Sequence, residues 1–219
     1  MPVVSAPQPP EAEAVIRAKA SECNAPLQLV SESWDETPLA LGGAHQKQNA
    51  AVALAALRAA EINVDREAIT RGLADVQWPA RFQRWNDRTV IDGAHNPAGC
   101  RVLAETWRAA YGDERAVIIL ATLRDKDAVG MISALLPIAS SFVLPEVRTE
   151  RAVPPAELAA LVRAAAPALP VTVKGSFPDA FHNAQATNAR ILITGSLHFA
   201  GEALAALGGN PDDLEDCAQ

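Results

Sequence analysis

Cysteine is scarce in this 219-residue chain, and aromatic residues make up only 5% of it. Cys23, Cys100 and Cys217 are odd in number, far apart and never in a C-x-x-C pair. That excludes a disulfide framework and a zinc site, and fits a reducing, cytoplasmic compartment. His45, His95, His182 and His198 also lack metal-ligand spacing, so no metal site is expected. No stretch reaches the ~18 uninterrupted apolar residues of a transmembrane helix, so no membrane association is expected. The start, Met1-Pro2-Val3-Val4-Ser5-Ala6-Pro7, has neither a basic nor a long apolar region and does not read as a signal peptide. Lys and Arg are nowhere clustered and the formal charge is −7, which argues against nucleic acid as a partner. Two motifs are missing as well. There is no G-x-x-x-x-G-K-[ST] phosphate loop, and no G-x-G-x-x-G follows a strand, so a self-sufficient ATP or NAD site is not encoded in these residues.

What is present is a regular alternation. Strand-like runs at Arg88–Ile91, Ala116–Leu120, Ser141–Leu144, Val171–Val173 and Arg190–Thr194 are separated by helical stretches near 98–111, 126–136, 155–166 and 178–187. A last helix lies near 199–207. The strands are short apolar runs, as expected where helices cover both faces of a parallel sheet. The first part of the chain differs. Pro2–Val4 and Leu27–Val30 read as strands, Pro10–Cys23 as a helix, Ala44–Ala60 as a very Ala-rich helix, and Asn63–Gly72 as a short helix opened by Asp65. Two strands are too little sheet for some seventy-five residues, so residues 1–75 read as the tail of a larger domain. Residues 76–87, with Trp78, Arg81, Arg84 and Trp85, read as a linker, 88–210 as a complete α/β domain, and 211–219 as a tail.

The most informative segment is Ile91-Asp92-Gly93-Ala94-His95-Asn96-Pro97. An acid, an imidazole and an amide crowd a strand-to-helix turn at the carboxyl end of a strand, where open α/β sheets place their ligands. Asp92 and Asn96 as mere caps of the following helix are the plainer alternative. Asp92 could also accept hydrogen bonds from ribose hydroxyls. His45-Gln46-x-Gln48-Asn49 opens the Ala-rich helix, either as capping groups or with Asn49 reading the edge of a heterocycle such as adenine. Arg81 is either a solvated charge or a grip on phosphate oxygens. Thr194-Gly195-Ser196 follows the last strand, and its backbone N–H groups could hold an anion. In Leu123-Arg124-Asp125-Lys126-Asp127, a cap from Asp125 or Asp127 is the expected role.

Taken in order, these pieces resemble the C-terminal half of folylpolyglutamate synthase/dihydrofolate synthase, in the Mur ligase superfamily. The matching segments are Val3-Val4-Ser5-Ala6-Pro7-Gln8, His45-Gln46-x-x-Asn49-Ala50-Ala51, Arg81-Phe82-Gln83, Asp92 to Pro97, Leu123-x-Asp125-Lys126-Asp127 and Thr194-Gly195-Ser196-Leu197. His-Gln, rather than His-Asn, before Asn49 favours the folate branch over the cell-wall branch. The resemblance implies a Rossmann-like doubly wound, mostly parallel sheet preceded by the incomplete tail of a central ATP-binding domain. It also implies ATP- and Mg²⁺-dependent ligation of L-glutamate to a folate or dihydropteroate carboxylate through an acyl phosphate. By motif, Asn49 would contact adenine, Arg81 the phosphates and Asp92 the ribose, while His95 and Ser196 would serve catalysis at the glutamate side or act at the domain junction. In that family the phosphate loop, the magnesium ligands and a carbamylated lysine stand upstream of the segment beginning at Pro2. The chain by itself is therefore expected to be inactive. A non-catalytic binding module derived from such a ligase, and a fragment of a cell-wall Mur ligase, are the two other readings.

Overall fold

In the computed structural model, residues 1–209 are described. The expected tail at 211–219 and Cys217 lie outside them. The chain divides into two compact units, Met1–Gln77 and the remainder from Trp78.

In the first unit, β1 (Val3–Ser5) and β2 (Leu27–Leu29) pair in parallel through the crossover helix α1 (Pro10–Glu22). The Ala-rich helix α2 (Ala44–Ala59) packs on β1, and α3 (Arg66–Asp75) follows, its first turn capped by the Asp65 carboxylate accepting from Ala68 N–H at 2.7 Å. α3 extends three residues beyond the expected helix end, with Gly72 inside it and nothing within 4 Å of where its Cβ would stand. The buried apolar residues here are Ala20, Ala50, Leu54 and Ala55. Small alanine side chains bury little surface, and two short strands alone are marginal in water. The unit thus sets two short strands beside three helices.

The second unit carries a six-stranded sheet. Its elements in chain order are β3 (Gln83–Arg84), β4 (Thr89–Ile91), α4 (Pro97–Tyr111), β5 (Ala116–Leu120), α5 (Ala128–Leu135), β6 (Ala139–Pro145), α6 (Pro155–Ala165), β7 (Val171–Lys174), α7 (Phe177–Gln185), β8 (Arg190–Thr194) and α8 (Leu197–Gly208). The order across the sheet is β3-β4-β8-β5-β6-β7, parallel throughout except for the antiparallel edge strand β3. β3 lies within the stretch read from sequence as linker. Two polar residues carry no apolar alternation, so the strand is made by backbone pairing alone. The signal that could have exposed it is the turn Asn86-Asp87-Arg88, where the Asn86 side chain accepts from Arg88 N–H and Trp85 N–H donates to Thr89 C=O.

Strand residues alternate between two separate cores, which shows that helices cover both faces. Val90, Ile118, Leu120, Leu144 and Leu192 join Cys100, Leu103 and Trp107 of α4, Met131 and Ile132 of α5, and Leu158 and Val162 of α6. Ile91, Val117, Ile119, Val143 and Ile193 join Phe177 and Ala180 of α7 and Phe199 and Ala203 of α8. The apolar faces of α4 (Cys100, Leu103, Ala104, Trp107) and α8 (Phe199, Ala200, Ala203) follow the i, i+3, i+4 spacing of helices docked on a sheet. β8 sits between β4 and β5. The chain leaves β4 toward the α4 side and leaves β8 toward the α8 side. The crevice of a doubly wound sheet therefore opens at the carboxyl ends of β4, β8 and β5.

Candidate functional site

Two loops meet at this crevice and are locked together by backbone bonds. Asp92 N–H donates to Ile193 C=O at 2.9 Å, and Gly195 N–H donates to Ala94 C=O at 3.1 Å. Gly195 has φ +122°, and a Cβ there would stand 2.3 Å from the Ala121 carbonyl oxygen, so only glycine fits. Its N–H is thus spent within the fold. Phe199 N–H is likewise taken by the Ser196 hydroxyl at 3.0 Å. The anion cradle read into Thr194-Gly195-Ser196 loses those two donors. Ser196 is buried and caps α8.

Asn96, not Asp92, caps α4, accepting from Gly99 N–H at 2.8 Å, with Pro97 in the first turn. Asp92 works on its surroundings. Its Oδ1 accepts from Ala94 N–H and its Oδ2 from Phe82 N–H, each at 2.8 Å. The second bond reaches back to the segment before β3, where Ala80 (φ 57°) and Phe82 (φ 44°) both hold left-handed backbone although neither is glycine. Such residues store about 1–3 kcal/mol each and persist only where the surroundings over-determine them. Here the constraints are visible. Phe82 is buried, stacking on Tyr111 with ring centroids 6.1 Å apart. Ala80 N–H donates to Gln83 Oε1 at 3.0 Å, and Gly93 N–H donates to Ala80 C=O at 2.8 Å. The residue between the two strained positions is Arg81. It is exposed and has no ion-pair partner among the described residues. A clamped, strained arm therefore holds one guanidinium outward beside the Asp92 turn.

His95 Nδ1 lies 2.9 Å from Gly93 C=O. A carbonyl only accepts, so Nδ1 is the donor of this contact. In the first unit, α2 begins after Gly43 (φ 107°) without a side-chain cap from that residue, and the capping role read for Gln46 and Asn49 is not the one they play. Asn49 Nδ2 instead donates to Gln46 Oε1 at 3.0 Å, and Gln48 Nε2 donates to Val30 C=O at 2.6 Å. Asn49 belongs to the first unit; Arg81, Asp92, His95 and Ser196 belong to the second. After β5, Asp127 is the cap of α5, accepting from Gly130 N–H at 2.9 Å. Asp125 pairs with Lys126, whose hydrogen bond holds the carboxyl below its ordinary range. Among the described residues no three His, Cys, Asp or Glu side chains cluster to hold a metal. This does not fit a magnesium site built from the described residues alone.

Beneath the turn lies Cys100, fully buried. Burial, reinforced by the Asp92 charge, pushes its thiol up to about 12. Cys23 is exposed. Only the thiolate reacts, so alkylation at pH 8 followed by peptide mapping is expected to label Cys23 and leave Cys100 intact in the folded protein. Equal labelling of both would show that the α4 face is not packed as described.

A family model described as Mur ligase, glutamate ligase domain, matches residues 80–197. The chain belongs to the Mur ligase family. The match begins at the strained Arg81 arm and ends just past Gly195-Ser196, so the family domain contains both loops of the crevice. The chain is 34% identical over 196 residues to a probable bifunctional folylpolyglutamate synthase/dihydropteroate synthase of Halobacterium salinarum, covering 87% of this chain and 24% of that protein. It is 36% identical over 125 residues to the dihydrofolate synthase/folylpolyglutamate synthase of Mycobacterium tuberculosis, covering 54% of this chain and 26% of that one. The solved structure of Mycobacterium tuberculosis folylpolyglutamate synthase complexed with ADP and AMPPCP superposes with a TM-score of 0.83 at 28% identity, over 95% of this chain and 56% of that one. This Mur ligase chain thus spans about half, or less, of each of these relatives. The fold expectation, a mostly parallel α/β sheet of the Mur ligase C-terminal type, agrees with the described structure.

Proposed function

We propose that this chain is the C-terminal portion of an ATP-dependent ligase that adds L-glutamate to a folate or dihydropteroate carboxylate, and that it supplies the distal part of the nucleotide site. The observation that carries the reading is the Arg81 arm. Two strained non-glycine residues are held on either side of one outward guanidinium, at the crevice of a sheet whose ADP-complexed relative has the same fold. Guanidinium matches phosphate oxygens two at a time. Asp92, fastened to the amides of Phe82 and Ala94, would accept from a ribose hydroxyl. Asn49 would present the amide that reads the adenine edge. His95 Nε2 would take a proton from the incoming amine, and the Ser196 hydroxyl would donate to the amino-acid side. ATP and Mg²⁺ would supply carboxylate activation, with the metal and the phosphate loop provided by the remainder of the enzyme. Without them the developing phosphoryl charge lacks its main counter-charges, so the 219-residue chain alone is expected to show no glutamate-dependent ADP release. The relatives' names favour this reading over a non-catalytic module.

The test is photolabelling of the 219-residue protein with 8-azido-ADP, mapped by mass spectrometry. The expected result is labelling around Arg81 to His95, competed by ADP and reduced about tenfold in Arg81→Ala. Tenfold corresponds to about 1.4 kcal/mol, the worth of a modest charge-assisted contact. Labelling that ADP does not compete, or that scatters over unrelated surfaces, would end the nucleotide reading.

A further inference from the structure

A cavity of ≈ 310 Å³ lies at the carboxyl ends of β6 and β7, away from the Arg81 arm. It is lined by Glu146, Val147, Arg148, Phe177, Pro178, Glu202 and Ala206, among others. Its size is that of a small-molecule site. Glu202 of α8 is only 7% exposed, and among the described residues its hydrogen-bond partner is Arg148 N–H, at 3.4 Å from Oε2. That is beyond the usual 2.7–3.2 Å of a good N–H···O bond, so a buried carboxyl faces this cavity poorly compensated. Burial accordingly raises its pKa, with the Arg148 amide, His198 and the Arg148 charge opposing this only in part.

The surroundings decide what would satisfy it. The first turn of α7 is a poor anion site, because Pro178 lacks an N–H, Ser176 already caps Asp179 N–H, and Asp179 adds a carboxylate. Glu146 adds another acid at the wall. A cationic head is therefore favoured at Glu202. Arg148 is exposed on the cavity's edge, without an ion-pair partner among the described residues, and can receive an acid group. Between these poles the lining is Val147, Phe177, Pro178 and Ala206. We propose that this cavity binds a small α-amino acid with a short apolar side chain, its ammonium at Glu202, its carboxylate at Arg148 and its side chain on the apolar wall. This site stands apart from the nucleotide crevice, and neither reading depends on the other.

Calorimetric titration of the 219-residue protein with L-valine, N-acetyl-L-valine and L-glutamate tests it. L-valine is expected to bind saturably. N-acetylation, which removes the ammonium, is expected to weaken binding at least about tenfold, and L-glutamate to bind more weakly than L-valine. Glu202→Gln should lose about tenfold in affinity, and Ala206→Leu, which fills the apolar wall, should abolish binding. Should Glu202→Gln fail to fold, Ala206→Leu and N-acetyl-L-valine decide the matter. Absence of saturable binding at about 10 mM L-valine, tighter binding of L-glutamate, or full binding by both variants would overturn the proposal and leave Glu202 as an anchor of the loop after β6.

Discussion

Replacing Gly195 with alanine is expected to cost the second unit about 3–5 kcal/mol and to lower its thermal midpoint by roughly 10 °C. Two effects add. At φ +122° any L side chain is strained. The new methyl would also lie 2.3 Å from the Ala121 carbonyl oxygen, 2.8 Å from Leu120 Cδ1 and 3.0 Å from the Ala121 carbonyl carbon. Two of those atoms are backbone at the end of the central strand β5, bonded to Thr194 through Ala121 N–H, and they cannot yield without breaking the sheet end. Gly201, in α8, is the internal control. Nothing lies within 4 Å of its added Cβ, so Gly201→Ala is expected to stabilise by about 0.5–1 kcal/mol. Urea or thermal denaturation reads both. A Gly195→Ala protein as stable as the parent would mean that the β8 and β5 loops do not meet as described.

The second large effect is expected from Asp92→Asn, an exchange of one oxygen for an amino group at nearly constant shape. The carboxylate receives Phe82 N–H on one oxygen and Ala94 N–H on the other. An asparagine turns a donor toward one of these donors whichever way it faces. The expected loss is about 2–4 kcal/mol, from one charge-assisted bond and one amide left without an acceptor. The loss falls on a segment already under strain, so Ala80 and Phe82 should relax toward ordinary backbone and the Arg81 arm should lose its direction. Hydrogen exchange at Phe82 and Ala94 should rise together. Azido-ADP labelling around Arg81 should fall to the level of Arg81→Ala, although the arginine itself is intact. Unchanged exchange at both amides would refute the clamp.

These two positions also show what kind of information each level holds. The doubly wound sheet was legible because it rests on local physics: apolar runs of four or five residues bounded by turn formers, then helices with spaced apolar positions. Ala116–Leu120 and Arg190–Thr194 fold at the expected residues. The cap of α4 by Asn96 and the start at Pro97 were likewise within reach of a local reading. β3 was not, since two polar residues become a strand only by finding β4. Nor was the work of Asp92, which depends on an amide ten residues away, at Phe82. The capping alternative read for Gln46 and Asn49 gave way to a side-chain bond between them.

The sequence by itself determined the alternation of strands and helices, the family through its ordered motifs, and the glycines and prolines that punctuate the turns, because these follow from periodicity and backbone sterics over a few residues. Tertiary structure alone decided which loops share the crevice, that Arg81 stands between two strained residues clamped from Asp92, and that Glu202 is buried beside a cavity. Those are contacts between segments distant in the chain, and no local preference encodes a distance.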